Sequence, residues 1–104
     1  MIDSYKPQLM RNWGEKADCL DCYCEVKFID EYSDWACYIY AINPEDEDTI
    51  ECIILDSDVG LYTWSLKELY LSYNTQGDHP IIDQEFRKIH ACVLYNKLSR
   101  LYES

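Results

Sequence analysis

Residues 35–69, WACYIYAINPEDEDTIECIILDSDVGLYTWSLKEL, decide how this chain reads. Trp35 to Ile42 is apolar on alternate and on intervening positions alike: Trp35, Cys37, Ile39 and Ala41 on one side, Ala36, Tyr38, Tyr40 and Ile42 on the other. A strand apolar on both sides belongs in the middle of a sheet. Asn43-Pro44-Glu45-Asp46-Glu47-Asp48 then reads as a turn, because proline presets the backbone dihedral and asparagine bonds its own backbone. Thr49 to Leu55 is a third strand, with Ile50, Cys52 and Ile54 facing inward, Asp56 to Gly60 a second acidic turn, and Leu61 to Trp64 a short fourth strand. Ser65-Leu66-Lys67-Glu68 has the pattern of a helix capping box, opening a helix over 66–72.

Outward from this stretch, Cys22 to Ile29 alternates with period two and supplies the first strand, joined to the second by the turn at 30–34. Residues 3–12 predict a short helix ended at Gly14, and 15–21 and 74–79 read as connections. From Asp83 on, Phe86, Ile89, His90, Val93, Leu94, Lys97, Leu98 and Leu101 recur at spacings of three and four, the signature of an amphipathic helix. The expected architecture is α+β: an antiparallel meander of about four strands, with a long C-terminal helix and short helices packed on one face. At 104 residues it is one domain, 1–104.

The charge is −11 and uneven: residues 1–66 hold 15 acids against 4 bases, whereas 67–104 hold 5 of each. That sign argues against direct binding to nucleic acid or an anionic membrane and points to a basic protein surface. Ten Tyr and three Trp exceed what a core this size hides, so some serve the surface. The polar start predicts no secretory leader, and no window has the run of apolar residues a membrane helix requires. Six Cys in such a chain read as reduced thiols, which places the protein in the cytoplasm.

Four constellations carry candidate chemistry. The carboxylates Asp30, Glu31, Asp34, Glu45, Asp46, Glu47, Asp48, Glu51, Asp56 and Asp58 form the first. Same-face strand residues lie about 6.6 Å apart, comparable to the phosphate spacing of a nucleic-acid strand, so such an array can occupy a Lys/Arg groove. A merely solvated acidic face is the competing account. Tyr32, Tyr38, Tyr40 and Tyr62 would be the aromatic anchors beside it. Cys19-x-x-Cys22-x-Cys24, with Cys37, Cys52, Cys92, His79 or His90 as a fourth ligand, is an incomplete zinc set, and several of these thiols fall on inward positions. Asp56-x-Asp58-x-Gly60 has its glycine at position five where a calcium loop needs it at six, and Lys67 where that loop needs Glu. Neither His79 nor His90 accompanies a nucleophile motif or a phosphate-binding loop, so no enzyme, metal or cofactor is expected.

Trp35-Ala36-Cys37-Tyr38, Asn43-Pro44-Glu45 and Trp64-Ser65-Leu66-Lys67-Glu68-Leu69 together resemble a family of small uncharacterised proteins carried by plasmids, integrative elements and phages. The resemblance covers about a third of the chain and departs at Tyr62, where that family usually has glycine. It implies a mobile-element setting and no activity of its own. With the charge, it gives the expectation of a non-enzymatic inhibitor of a host defence nuclease or nucleic-acid-binding effector, of anti-CRISPR or anti-restriction type. The alternative is a small structural or regulatory interaction module that pairs through its aromatic sheet face, either with itself as a homodimer or with a host protein. Salt separates the two, since only the first should weaken steeply as salt rises.

Overall fold

The computed structural model describes residues 2–74 and 76–101; Thr75, within the expected 74–79 loop, lies outside them. The chain runs α1 (Lys6–Asn12), α2 (Glu15–Asp18), β1 (Tyr23–Cys24), β2 (Val26–Ile29), β3 (Ala36–Asn43), β4 (Asp46–Leu55), β5 (Val59–Ser65), α3 (Leu66–Leu71), β6 (Ile81–Ile82), β7 (Ile89–His90) and α4 (Ala91–Leu101). The class is α+β. A five-stranded antiparallel sheet has the order β5-β4-β3-β2-β6, and β1 and β7 form a separate two-stranded ribbon.

β3 is the central strand, as its two-sided apolarity predicts; Ala36 to Ile42 are all buried. Its pairing with β4 slips between Ile39 and Ala41, so Tyr40 is an extra residue without an opposite number. This bulge overturns the simple alternation beyond it. Ala41 joins Tyr38 and Tyr40 on one face, and Ile42 joins Cys37 and Ile39 on the other. The carbonyl of Tyr40 accepts from the side-chain amide of Asn12 at 2.9 Å. Asn12 is a buried polar residue at the end of α1, and its amide also reaches the Tyr23 carbonyl at 3.4 Å. The bulge therefore keeps its polar group satisfied through a residue far away in sequence.

Helices cover both faces of the sheet, not one. Leu9 of α1 and Leu66 and Leu69 of α3 pack with Phe28, Ile39 and Ile50 on one side. Ala17 of α2 and Ala91, Leu94 and Leu98 of α4 pack with Tyr38, Tyr40 and Ile53 on the other. A strand buried on both sides requires two such layers.

Three expected boundaries shift. The first strand breaks at Glu25, where β1 leaves the main sheet to pair with β7. Residues 81–82, given no element from the sequence, extend the sheet along β2. The last helix begins at Ala91 instead of Asp83. Asp83 donates its N–H to the Lys27 carbonyl at 2.9 Å, and its carboxylate accepts from the Glu85 N–H at 3.0 Å, so it makes a turn instead of a helix cap. Phe86 and Ile89 still pack on the core, from turn and strand geometry, while Val93 and Leu101 are exposed. A three-four spacing of apolar residues was satisfied by another route.

The 66–71 helix is capped as expected in one half only. Ser65 Oγ accepts from the Glu68 N–H at 3.2 Å. Glu68 does not close the box; its carboxylate accepts from the Trp64 indole at 3.0 Å. Asp48, from β4, adds a second cap of its own, accepting from Ser65 Oγ at 2.6 Å and from the Lys67 N–H, one of the free amides of the first turn, at 2.8 Å. Among the described residues no helix is long and apolar enough to cross a membrane.

Candidate functional site

Antiparallel connection distributes the acidic residues between two ends of the sheet. The β2–β3 and β4–β5 turns lie at one end, carrying Asp30, Glu31, Asp34, Asp56 and Asp58. The β3–β4 connection lies at the other, with Glu45 in the turn and Asp46, Glu47 and Asp48 opening the ten-residue strand β4. Glu51 lies further along the same strand. The carboxylates are therefore split between two turns at one end of the sheet and a turn plus the first part of β4 at the other, instead of being gathered along one strand face.

Hydrogen bonding sorts these carboxylates further. Asp30 accepts from Asn74 Nδ2 at 2.7 Å, from Ser33 Oγ at 2.8 Å and from the Tyr32 N–H at 3.2 Å, which holds its pKa below the usual value. Asp46 closes its own turn on Thr49 Oγ1 at 2.7 Å and on the Asp48 N–H. Glu47 lies 3.5 Å from Lys6 Nζ. Asp48 caps α3, and the hydroxyl and amide it accepts lower its pKa. Glu51 is half-buried; burial first and the charge of Asp18 second raise its pKa, with the Tyr40 hydroxyl 3.5 Å away opposing them. Glu31, Asp34, Glu45, Asp56 and Asp58 remain, exposed and without a side-chain partner among the described residues. Four of those five share one end.

The aromatic anchors divide in the same way. Tyr38 and Tyr40 are 6% and 3% exposed and belong to the core, so neither can meet a partner. Tyr38 packs its ring at 5.8 Å from Phe86, under the Lys27 ammonium. Burial pushes the Tyr40 hydroxyl well above its ordinary pKa. Tyr32 and Tyr62 are exposed, at 63% and 47%. The Tyr62 ring lies over Gly60, where any Cβ would come within 2.7 Å of it, which explains the glycine two residues before.

At the end with the free carboxylates, a cleft of about 430 Å³ opens between the β2–β3 turn and the 72–80 loop. Its lining includes Tyr32, Trp35, Trp64 and Tyr73 together with Asp30, Asp56 and Asp78, and no Lys, Arg or His. Asn74 ties the two walls through Asp30, 44 residues away. The same Asn74 accepts from the N–H groups of Gln76 and Asp78 at 2.9 and 3.0 Å, and His79 Nδ1 meets the Ser72 carbonyl at 2.6 Å. The loop is thus stapled by its own side chains. Sequence reasoning placed Asp30, Tyr32 and Asp56 at a site but missed Trp35, Trp64, Tyr73 and Asp78. The loop at 74–79 was legible; the tertiary contact that sets Asn74 opposite Asp30 was not.

The thiols occupy different surroundings. Cys22, Cys24, Cys37 and Cys52 are buried, Cys19 is exposed and Cys92 is intermediate, all unpaired. Burial pushes the Cys22 thiol up to about 11 and the Cys24 thiol higher still, which opposes the thiolate that zinc requires. Among the described residues no three His, Cys, Asp or Glu converge on a common metal position. His90 lies in β7, not on the last helix, with Nε2 3.2 Å from Asp21 Oδ1.

No family model, no curated protein and no solved structure matches the chain.

Proposed function

We propose that this is an acidic, non-enzymatic binding protein that engages a basic protein surface. Its setting would be a phage or other mobile element, and its target a host defence nuclease or nucleic-acid-binding effector of the kind met by anti-CRISPR and anti-restriction proteins. The observation that carries this reading is the placing of Glu31, Asp34, Asp56 and Asp58, all exposed and without a side-chain partner among the described residues, in the two turns at one end of the sheet, with Asp56 also in the lining of an aromatic-walled cleft. Unpaired charge of one sign on a fixed scaffold steers a complementary surface and repels nucleic acid and anionic lipid. The turn-borne arrangement favours contact with a compact Lys/Arg cluster over imitation of an extended phosphate backbone. The mobile-element setting rests on the sequence resemblance alone.

The test is affinity capture from a bacterial lysate with the protein as bait, at low and at high salt. The companion bait carries Glu31→Lys, Asp34→Lys, Asp56→Lys and Asp58→Lys together. A nucleic-acid-handling protein retained at low salt, released at high salt and lost with the fourfold variant is the expected result. A partner indifferent to both changes would overturn the electrostatic reading.

One observation favours a second reading. β5 is an edge strand of seven residues without a charged side chain, and it exposes Leu61 and Tyr62. Edges of this kind pair readily with another strand, so a second copy joined there would make the protein a self-associating module. Sedimentation velocity that returns a monomer at high salt and high concentration would remove this alternative.

A further inference from the structure

We propose that the cleft between the β2–β3 turn and the 72–80 loop is a receptor for the guanidinium group of a single arginine side chain. The inference rests on the reading of the protein as a binder of a basic surface, and it names the chemistry the partner must present. Three features of the cleft converge on this ligand. Its walls combine Trp35, Trp64, Tyr32 and Tyr73, and the faces of such rings attract a cation, Trp most strongly. Its lining also holds Asp30, Asp56 and Asp78, with no base beside them. The carboxylates of Asp56 and Asp78 have no side-chain partner among the described residues, so they are available to a donor.

The alternatives fit less well. A phosphate or a carboxylate would meet three acids. A bare metal ion finds aromatic walls where it needs oxygen ligands, and both Asp30 oxygens are already engaged, one by Asn74 and the Tyr32 N–H, the other by Ser33. An ammonium group is compact and strongly hydrated, so stacking offers it less. Guanidinium is planar, weakly hydrated and presents a fork of donors, which suits a lining that combines aromatic rings and carboxylates. The Asp30–Asn74 bond holds the two walls before any ligand arrives, and a preformed cleft loses little entropy on binding.

The experiment titrates the protein with N-acetyl-arginine amide, and in parallel with the citrulline amide, which has the same shape without the charge. The readout is the indole N–H region of a nitrogen-15 correlation spectrum. Trp13 lies outside the cleft and serves as the internal reference. The expected result is a saturable shift of the Trp35 and Trp64 signals with the arginine compound, half-complete at millimolar concentration, while Trp13 stays still and citrulline has no effect. Asp56→Asn with Asp78→Asn should weaken binding about tenfold, and Tyr73→Ala, an exposed position, should weaken it without unfolding the protein. Equal responses to arginine and citrulline, or an unchanged affinity in the double Asn variant, would overturn the assignment. The outcome is separable from the wider reading. Arginine binding without salt-sensitive capture would support the cleft and remove the basic-surface function. Salt-sensitive capture without arginine binding would do the reverse.

Discussion

Asp48 accepts a hydrogen bond from Ser65 Oγ at 2.6 Å, 17 residues along the chain, and thereby shares the cap of a helix that Ser65 itself begins. A carboxylate near the start of β4, indistinguishable in sequence from the three acids before it, thus has a structural duty and is removed from the set open to a partner. Ser65→Ala should lower stability by about 0.5–2 kcal/mol, the usual worth of a helix N-cap. Asp48→Ala should destabilise and Asp48→Asn should do so less, because the amide oxygen still accepts. Thermal melts followed by circular dichroism check both, and a melt of Asp48→Ala equal to wild type would remove the shared cap.

The pH dependence of stability follows from three carboxylates of opposite sense. Asp30 and Asp48 have folded values below their ordinary 3.8. Each therefore contributes stability that is fully present above that value and lost as pH falls through the lower folded one. Glu51 is raised above 4.5 by burial, so its contribution is present below that value and lost as pH rises through the folded one. Urea midpoints should fall below about pH 3.8, and less so in Asp48→Asn. Glu51→Gln should be slightly more stable than wild type at pH 7, by a few tenths of a kcal/mol after solvent screening.

Asn12 is the buried polar residue on which the β3 bulge depends. Asn12→Leu leaves the Tyr40 carbonyl without its amide donor and should cost about 1–3 kcal/mol in urea denaturation. Retention of wild-type stability would mean that the bulge closes or hydrates without it.

Thiol reactivity should separate the cysteines by burial. Cys19 is exposed and should react with a disulfide reagent within the mixing time, whereas Cys24, Cys37 and Cys52 should wait for unfolding. Loss of the fast phase in Cys19→Ser, with the slow phase retained, is the expected pattern.

Much of this fold was legible because its signals are local. Pro44 after Asn43, the Ser65 cap and the two-sided apolarity of Trp35 to Ile42 each act through the nearest few residues, and each stands in the structure. The side-chain oxygen of Asn43 does accept from the Glu45 N–H, at 2.9 Å. The misreadings come where one local pattern admits two tertiary solutions. Phe86, Ile89 and His90 sit at helical spacing but reach the core from a turn and a strand, because Asp83 and β7 found partners in Lys27 and β1.

The amino-acid sequence by itself determined the α+β class, the central strand, the acidic turns and an excess of negative charge, all properties of composition and short-range pattern. Only the tertiary structure decided that helices cover both faces, that Tyr38 and Tyr40 are core, and which carboxylates are already engaged. It also brought Asp78 and Tyr73 opposite Asp30 and Tyr32 to make a cleft. The physical reason is that a side chain's availability depends on what the rest of the chain places beside it. Asp30 and Asp56 carry the same carboxylate, but only Asp30 has Asn74 within reach.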